Sequence, residues 1–189
     1  MDTELEGLSV SSVRVDYGRG GRLAVEHLAG KGHRRIAFVS GNIEFQTNHM
    51  RYNGFRDEMN RRGLPLRNDY LVLNQDFLQA ERFCGVDTLL GLVEAPTAIF
   101  ATSDLTAMAC IRKVLASGRR VPEDVAVVGF DDLLMASKLE LPLTTVQQPK
   151  ARIARKAIDL LMEQIGGGPG ASRAEHVLIE PTLVVRASA

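Results

Sequence analysis

The sequence predicts an α/β protein built on a doubly wound parallel sheet. Short apolar runs of strand length alternate about five times with segments whose apolar residues recur at helical spacing. The connections between them are short and rich in glycine, proline and helix-capping residues. Repeats of this kind form parallel sheets through right-handed crossovers, which place helices on both faces of the sheet.

The first half of the chain predicts three strands and three helices. The strands are expected at 12–16, 36–40 and 70–73, and the helices at 23–30, 51–62 and 79–93. In the helix at 51–62, Phe55 and Met59 are four residues apart and therefore share one face. The segment Gly63-Leu64-Pro65 ends this helix, because glycine adopts the left-handed cap and proline cannot continue a helix.

The second half repeats the pattern. Its strands are expected at 97–101, 125–130, 144–146, 176–180 and 182–186. The segment Thr102-Ser103-Asp104 offers the side chains that cap a helix, and that helix is expected to stop at Gly118. The expected buried stripes are Met108, Ile111 and Leu115 in this helix, and Ile153, Ala157, Leu160 and Leu161 in the next one, which ends at Gly166.

Composition and charge are typical of a soluble globular protein without a DNA-binding surface of its own. Apolar residues make up 45% of the chain and charged residues 24%. The 23 Lys and Arg residues balance the 23 Asp and Glu residues, whereas a domain that holds DNA usually needs a basic excess. No apolar run is long enough for a membrane span, and the acidic start MDTELEGLSVSS does not resemble an export signal. We therefore expect a cytoplasmic protein with no membrane partner.

The sequence contains none of the motifs that would indicate an enzyme or a metal site. It has no nucleophile elbow, zinc-protease motif or phosphate loop, and Gly18, Gly20 and Gly21 are too short a pattern for a dinucleotide fingerprint. The four histidines lack metal-ligand spacing. Cys84 and Cys110 have no CxxC or CxxH partner and are expected to be buried free thiols. We expect no catalysis, no cofactor and no metal.

Polar and aromatic residues follow the predicted strands, at the edge where a doubly wound sheet binds its ligands. Arg51 could hold a diol or carboxylate through its fork of donors, and Asp131 could accept hydroxyl protons. The other candidates are Phe45 and Phe77, which could stack on a ring, and Ser103 and Thr47, which could add short hydrogen bonds. Each has a simpler alternative: a surface ion pair for Arg51, a core position for either phenylalanine and a helix cap for Ser103.

Six stretches of the sequence carry a family resemblance. They are VRVDYGRGGRLAVEHLAGKGHRRIAFVSG (13–41), RYNGFRDEM (51–59), PTAIFATSDLTAMA (96–109), VPEDVAVVGFDD (121–132), PLTTVQQP (142–149) and PTLVVRAS (181–188). In order and spacing they resemble the C-terminal part of lactose/galactose-repressor (LacI/GalR) family regulators. The resemblance covers essentially the whole chain from Val13 to Ser188.

The resemblance implies a periplasmic-binding-protein-like (type I) clamshell that holds a small effector between two subdomains. In that family, the residues that match Arg51 and Asp131 contact the effector. The aromatic residue that matches Phe77 can stack on it. The resemblance therefore assigns the effector to the same strand-end residues that the sheet topology indicates.

The sequence departs from the family at three places near the expected site. Phe45 and Thr47 lie on the loop that reads the effector, and Phe45 replaces an arginine of purine-responsive members, which favours a sugar. Ser103 stands where the family usually has Asn, so one amide contact is lost. Tyr17 follows Asp16 where Asn is usual, with little expected effect on the ligand.

The resemblance also divides the chain and predicts what it lacks. Residues 1–141 match mainly the C-terminal subdomain, 142–168 a crossover strand and helix of the N-terminal subdomain, and 169–189 the return strands. The DNA-reading module and most of the N-terminal subdomain are expected to be missing, so this chain alone should not bind operator DNA and should bind its effector weakly. The intact regulator is expected to be a homodimer whose effector controls operator binding allosterically.

Two other functions remain open on the sequence. An exported sugar-binding protein of a transporter shares the clamshell, although the stretches at 121–132 and 142–149 favour a regulator. An enzyme on the same sheet would show turnover that depends on Arg51 or Asp131. Apolar surface that the absent subdomain would leave bare, around Ile153, Ala157 and Leu160, is expected to favour self-association.

Overall fold

Strands and helices alternate along the chain in the order that the apolar periodicity predicts. The computed structural model describes residues 10–73, 85–166 and 174–189. In chain order, the strands are β1 (Ser12–Val15), β2 (Ile36–Val39), β3 (Leu71–Val72), β4 (Ala98–Ala101), β5 (Ala126–Asp131), β6 (Thr144–Gln147), β7 (His176–Ile179) and β8 (Thr182–Val184). The helices are α1 (Tyr17–Gly30), α2 (Gln46–Arg61), α3 (Gly85–Gly91), α4 (Asp104–Ala116) and α5 (Lys150–Ile165), with short 3₁₀ helices at Asn68–Tyr70 and Leu134–Ser137.

Six of the described strands form one sheet in the order β3-β2-β4-β5-β6-β8. All neighbours in this sheet are parallel except β6 and β8, which are antiparallel. The strands β1 and β7 form a separate parallel pair, with Ser12 opposite His176 and Val15 opposite Ile179. Because parallel neighbours require a crossover connection, the helices between them cover the sheet.

Each face of the six-stranded sheet has its own apolar cluster. Phe38, Phe100 and Phe130 point towards α1 and α2. Ile99 and Val127, from alternate positions of the same strands, point towards α3 and α4. These strands are buried on both faces, which explains why they appear in the sequence as continuous apolar runs. The doubly wound α/β fold predicted from the sequence is confirmed.

The buried face of α4 differs from the predicted stripe. Ile111 is buried as predicted, but Ala107, Cys110 and Val114 are the fully buried apolar residues, whereas Leu115 is 52% exposed. Small side chains bring the helix close to the sheet, so the helix is rotated by about one residue from the stripe that size alone suggests. Cys110 is the buried free thiol that the sequence predicts, and Cys84 lies outside the described residues.

Strand pairing places β1 and β6 in different sheets. The strand β6, expected in the second subdomain, joins the main sheet, while β1, expected in the first, pairs outside it with β7. Thr144 and Thr145 can occupy a buried strand because their hydroxyl groups bond Arg186 N and the carboxylate of Asp104. The chain therefore leaves the main sheet after β6 rather than before it.

The packing of α1 against α2 depends on glycines. A Cβ atom on Gly54 would lie 2.0 Å from the carbonyl oxygen of Gly18, and one on Gly21 would lie 2.3 Å from that of Arg51. A Cβ on Gly20 would lie 2.4 Å from the ring of Phe130. Gly20 thus lets α1 pack closely on the sheet, and Gly21 and Gly54 let α1 and α2 pack closely on each other, which carries Arg51 towards the edge of the sheet.

Candidate ligand-binding site

Side chains from four segments meet at the carboxyl edge of the main sheet. Thr102 follows β4, Asp131 ends β5, Gln148 follows β6, and Arg51 reaches the same edge from α2. Among the sequence-predicted residues, the structure brings Arg51 and Asp131 into direct contact. These side chains converge because β4, β5 and β6 are parallel neighbours, so their carboxyl ends lie side by side.

Arg51 is a buried cation held in one orientation. Its side chain is 8% exposed, and Nη1 donates to the carbonyl oxygen of Thr102 at 2.7 Å and to Oδ1 of Asn48 at 3.3 Å. The guanidinium carbon lies 4.0 Å from the centre of the Phe130 ring and 4.8 Å from that of Tyr17. The surface ion pair considered for Arg51 is therefore wrong, and so is its place at the start of a helix, because α2 begins at Gln46.

Asp131 faces Arg51 across the strand edge. Its Oδ1 lies 3.6 Å from Nη2 of Arg51 and accepts a hydrogen bond from Nε2 of Gln148 at 2.6 Å. Burial raises the pKa of Asp131, and the charge of Arg51 and the Gln148 hydrogen bond act in the opposite direction. Among the described residues no hydrogen-bond donor contacts Oδ2 of Asp131, whose side chain is 23% exposed.

The backbone has positive φ angles at Asp131 and Asp132, a conformation that residues other than glycine rarely adopt. Their φ angles are 117° and 48°. A non-glycine residue in such a conformation costs about 1–3 kcal/mol and persists only where its surroundings determine it. Asp132 is held by Nε2 of Gln147 and by Nη2 of Arg186, each at 2.6 Å. The turn therefore ties the ends of β5, β6 and β8 together.

Behind this turn lies the buried carboxylate of Asp104. It accepts hydrogen bonds from Oγ1 of Thr145 at 2.5 Å and from the backbone nitrogen of Leu133 at 2.7 Å. Burial raises the pKa of Asp104 to about 6, against the lowering effect of these two hydrogen bonds. The nearby charges of Asp131 and Asp132 contribute to this raised pKa.

The other predicted site residues are placed as follows. Ser103 caps α4, because its Oγ accepts from the backbone nitrogen of Thr106 at 3.1 Å, and the helix-capping alternative is confirmed. Phe45 immediately precedes α2 and is 64% exposed, so the alternative of a core position is wrong for this residue. Thr47 is half-buried in the first turn of α2. Phe77 lies outside the described residues.

Three residues of this edge were not predicted as site residues from the sequence. Gln148 is the second glutamine of the PLTTVQQP stretch, and the strand-end rule, applied to β6, would have indicated it. Tyr17 contacts the guanidinium of Arg51, which its place at a helix start does not reveal. Asp104 follows a predicted strand and was interpreted as part of a helix cap, and no local pattern indicates its bond to Thr145, 41 residues away.

In the described parts of the chain, no group of three or more His, Cys, Asp and Glu side chains could hold a metal ion. No described helix has both the length and the apolar character needed to cross a membrane. What the edge offers chemically is a fixed cation beside a carboxylate whose Oδ2 accepts no hydrogen bond from the described residues. Hydroxyl groups suit this arrangement, because each can donate one hydrogen bond and accept another.

A sequence profile of the periplasmic binding protein-like domain matches residues 25–189. The chain belongs to this domain family. The domain is also similar to the transcriptional repressor PurR of Photobacterium profundum, with 32% identity over 188 residues, which cover 100% of this chain and 55% of the relative.

Solved structures of related regulators share the fold. The structure of a complex of the transcriptional regulator CelR with cellobiose has a TM-score of 0.85 and 36% identity, covering 96% of this chain and 54% of that one. A regulatory protein of the LacI family from Chloroflexus aggregans has a TM-score of 0.88 and 30% identity, covering 100% of this chain and 66% of that one. The resemblance to LacI/GalR regulators is confirmed. The domain spans about half the length of the curated relatives it matches.

Proposed function

We propose that this domain is the effector-sensing core of a bacterial transcriptional regulator, and that its effector is a small hydroxyl-rich molecule, a sugar. The contact between Arg51 and Asp131 at the carboxyl edge carries the proposal. Adjacent sugar hydroxyl groups can accept from the guanidinium and donate to Oδ2 of Asp131. The similarity to CelR, which was solved with cellobiose, supports a carbohydrate.

We include four further side chains in the proposed site, from their positions in the sequence. The exposed ring of Phe45 offers an apolar face on which a sugar ring can stack. Ser103, Thr47 and Phe77 are assigned to the same site by their strand-end positions. A hydrogen bond from Ser103 to a ligand would have to share the hydroxyl that caps α4, because its oxygen already accepts from Thr106.

We assign operator binding to a part of the regulator outside this chain. The equal numbers of basic and acidic residues, 23 each, support this assignment, because phosphate binding requires a local basic excess. The effector would act by binding one arrangement of the intact protein more tightly than another. For the homodimer, the exposed side chains of Leu134, Met135 and Leu105 offer an apolar contact surface beside the start of α4.

The proposal is tested by ligand-induced thermal shift of the purified chain with cellobiose, ribose and hypoxanthine. We expect a sugar to raise the melting temperature of the wild type. Arg51→Ala and Asp131→Asn should weaken sugar binding by about tenfold or more, since hydrogen bonds to charged groups contribute about 1.5–3 kcal/mol.

Arg56→Ala is the matched control, because Arg56 lies on the same helix and pairs with Asp57 at the surface. It should bind the sugar as the wild type does. A shift with hypoxanthine and none with either sugar would contradict the sugar assignment. Unchanged binding by Arg51→Ala would show that the site lies elsewhere.

A further inference from the structure

Asp104 is a fully buried carboxylate that joins three segments of the fold. It is the first residue of α4, and its Oδ1 accepts from Thr145 of β6 while its Oδ2 accepts from the backbone nitrogen of Leu133, just after β5. An acidic residue in the first turn of a helix usually lies in solvent, where it favours the helix dipole without being buried. The burial and the two long-range partners of Asp104 exceed that requirement.

The main sheet leaves space for this carboxylate at one position. Gly129 of β5 lies opposite Thr145 of β6, and a Cβ on Gly129 would lie 2.6 Å from Oδ1 of Asp104. Because Gly129 has no side chain, the carboxylate of Asp104 can lie against β5 two residues before Asp131. Asp104 therefore lies against both β5 and β6, close to the strand ends that carry Asp131 and Gln148.

The hydrogen bond from the backbone nitrogen of Leu133 to Asp104 lies just after the strained turn at Asp131 and Asp132. Asp131 and Asp132 have positive φ angles, and Leu133 is the next residue in the chain. Its backbone nitrogen is held by Asp104, while the preceding strand is held by its pairing with β6. Both ends of the turn are thus anchored, and the side chain of Asp131 is kept towards Arg51 and Gln148.

We propose that Asp104 is a positioning residue for effector binding, which holds the Asp131–Asp132 turn in the conformation that presents Asp131 beside Arg51. This inference rests on the proposed function, because it assigns Asp131 to the effector. Burial is the largest cause of the raised pKa of Asp104, and the neighbouring charges of Asp131 and Asp132 act in the same direction. The carboxylate is therefore coupled to the turn by charge as well as by its hydrogen bond to Leu133.

The test compares Asp104→Asn with the wild-type chain by amide hydrogen exchange and by calorimetry with cellobiose. The amide substitution keeps the size of the side chain but removes the charged acceptor of Leu133 N–H. We expect the Leu133 amide to exchange about tenfold faster or more, relative to the amides of Ile99 and Phe100 in β4. The dissociation constant for cellobiose should rise about tenfold. Thr145→Val, which removes one donor and leaves the Leu133 bond, should have a smaller effect on both.

Val114→Ala is the matched control for loss of stability. Val114 lies on the same helix, is fully buried, and packs in the cluster between the sheet and α3 and α4. Its truncation should lower the melting temperature without changing the relative exchange of Leu133 or the dissociation constant for cellobiose. This control separates a positioning role from a merely structural one.

Three results would overturn the proposal. The first is Asp104→Asn with wild-type exchange at Leu133, and the second is Asp104→Asn with wild-type affinity for cellobiose. The third is a Val114→Ala variant that has the same melting temperature as Asp104→Asn and loses as much affinity for cellobiose. If the wild type binds none of cellobiose, ribose and hypoxanthine, the proposed function fails, and the role of Asp104 in effector binding fails with it. Faster exchange at Leu133 would then still show that Asp104 holds the turn.

Discussion

The guanidinium of Arg51 lies on the ring of Phe130 and donates to the backbone after β4, so its direction is set by groups that belong to the sheet. Asp131, on the next strand, is held by Gln148 and by a turn with positive φ angles. Because these partners already hold both side chains in place, ligand binding need not order them, and the free energy that such ordering would cost is not lost from the affinity. At the scale of single residues, the candidate site is therefore preorganised on the sheet.

Glu58 gives a prediction of pH dependence at the same scale. Its carboxylate is buried, and hydrogen bonds from Arg61 and Arg62 hold its pKa below the ordinary value of 4.5. Because the folded pKa is below the unfolded one, Glu58 stabilises the fold above the unfolded pKa, and this contribution is lost as the pH falls through the folded pKa. Glu58→Gln should lower the free energy of unfolding by about 1 kcal/mol at pH 7.

Urea unfolding of this variant and the wild type at pH 7 and pH 3 measures the effect. The difference in free energy should be present at pH 7 and much smaller at pH 3. Asp57→Asn is the control, because the neighbouring carboxylate pairs with Arg56 at the surface. An equal cost of Glu58→Gln at both pH values would show that packing, and not charge, is what the variant loses.

At the scale of elements, the pair α1 and α2 carries Arg51 to the sheet edge. The two backbones touch where Gly54 meets the carbonyl oxygen of Gly18 and where Gly21 meets that of Arg51, and neither Gly21 nor Gly54 has space for a Cβ. Contacts of this kind fix the distance and angle between two helices more strictly than flexible side chains do. The position of Arg51 therefore depends on how closely α1 packs against α2.

Gly54→Ala should destabilise the domain. The added Cβ would lie 2.0 Å from the carbonyl oxygen of Gly18, so the helices must separate, at a cost of about 1–3 kcal/mol or more. Chemical unfolding monitored by circular dichroism measures the loss. Gly30→Ala, at the end of α1 with no atom within 4 Å of the added Cβ, should be neutral or slightly stabilising. Equal stability of the two variants would contradict the close packing of α1 and α2.

At the scale of the whole molecule, α5 exposes an apolar surface. Ile158, Leu161, Met162 and Ile165 are each more than half exposed, whereas Leu160 is buried and Ile153 packs against the sheet. Ala157 is exposed as the sequence indicated, but most of the bare surface lies away from Ile153 and Leu160. The cause is the orientation of α5, which turns Leu160 inward and leaves the next residue outside.

We expect the isolated chain to self-associate through this surface of α5, because contiguous exposed apolar side chains favour association. Sedimentation velocity over a range of concentrations should show oligomers of the wild type. The double variant Leu161→Lys with Met162→Lys should shift the chain towards monomer, and Asp159→Lys, exposed on the same helix, should not. Unchanged association of the double variant would assign the contact to the surface at Leu134 and Met135 instead.

The sequence by itself determined the class of fold and the order of its elements. Strand and helix periods differ, so the apolar pattern separates β2, β4 and β5 from α1 and α4 without any knowledge of packing. The same pattern shows where strands end, and this nominated Arg51 and Asp131, which the structure brings into contact. These features are local, and local sequence encodes them.

Only the tertiary structure decided how the elements meet. It placed β6 in the main sheet, turned the small side chains of α4 inward, and brought the carboxylate of Asp104 to Thr145, 41 residues away in the chain. The expected assignment of residues 142–168 to a second subdomain stays a prediction for α5 and differs from the pairing of β6. Burial and hydrogen bonding between distant residues depend on the packed arrangement, and no periodicity within one segment records them.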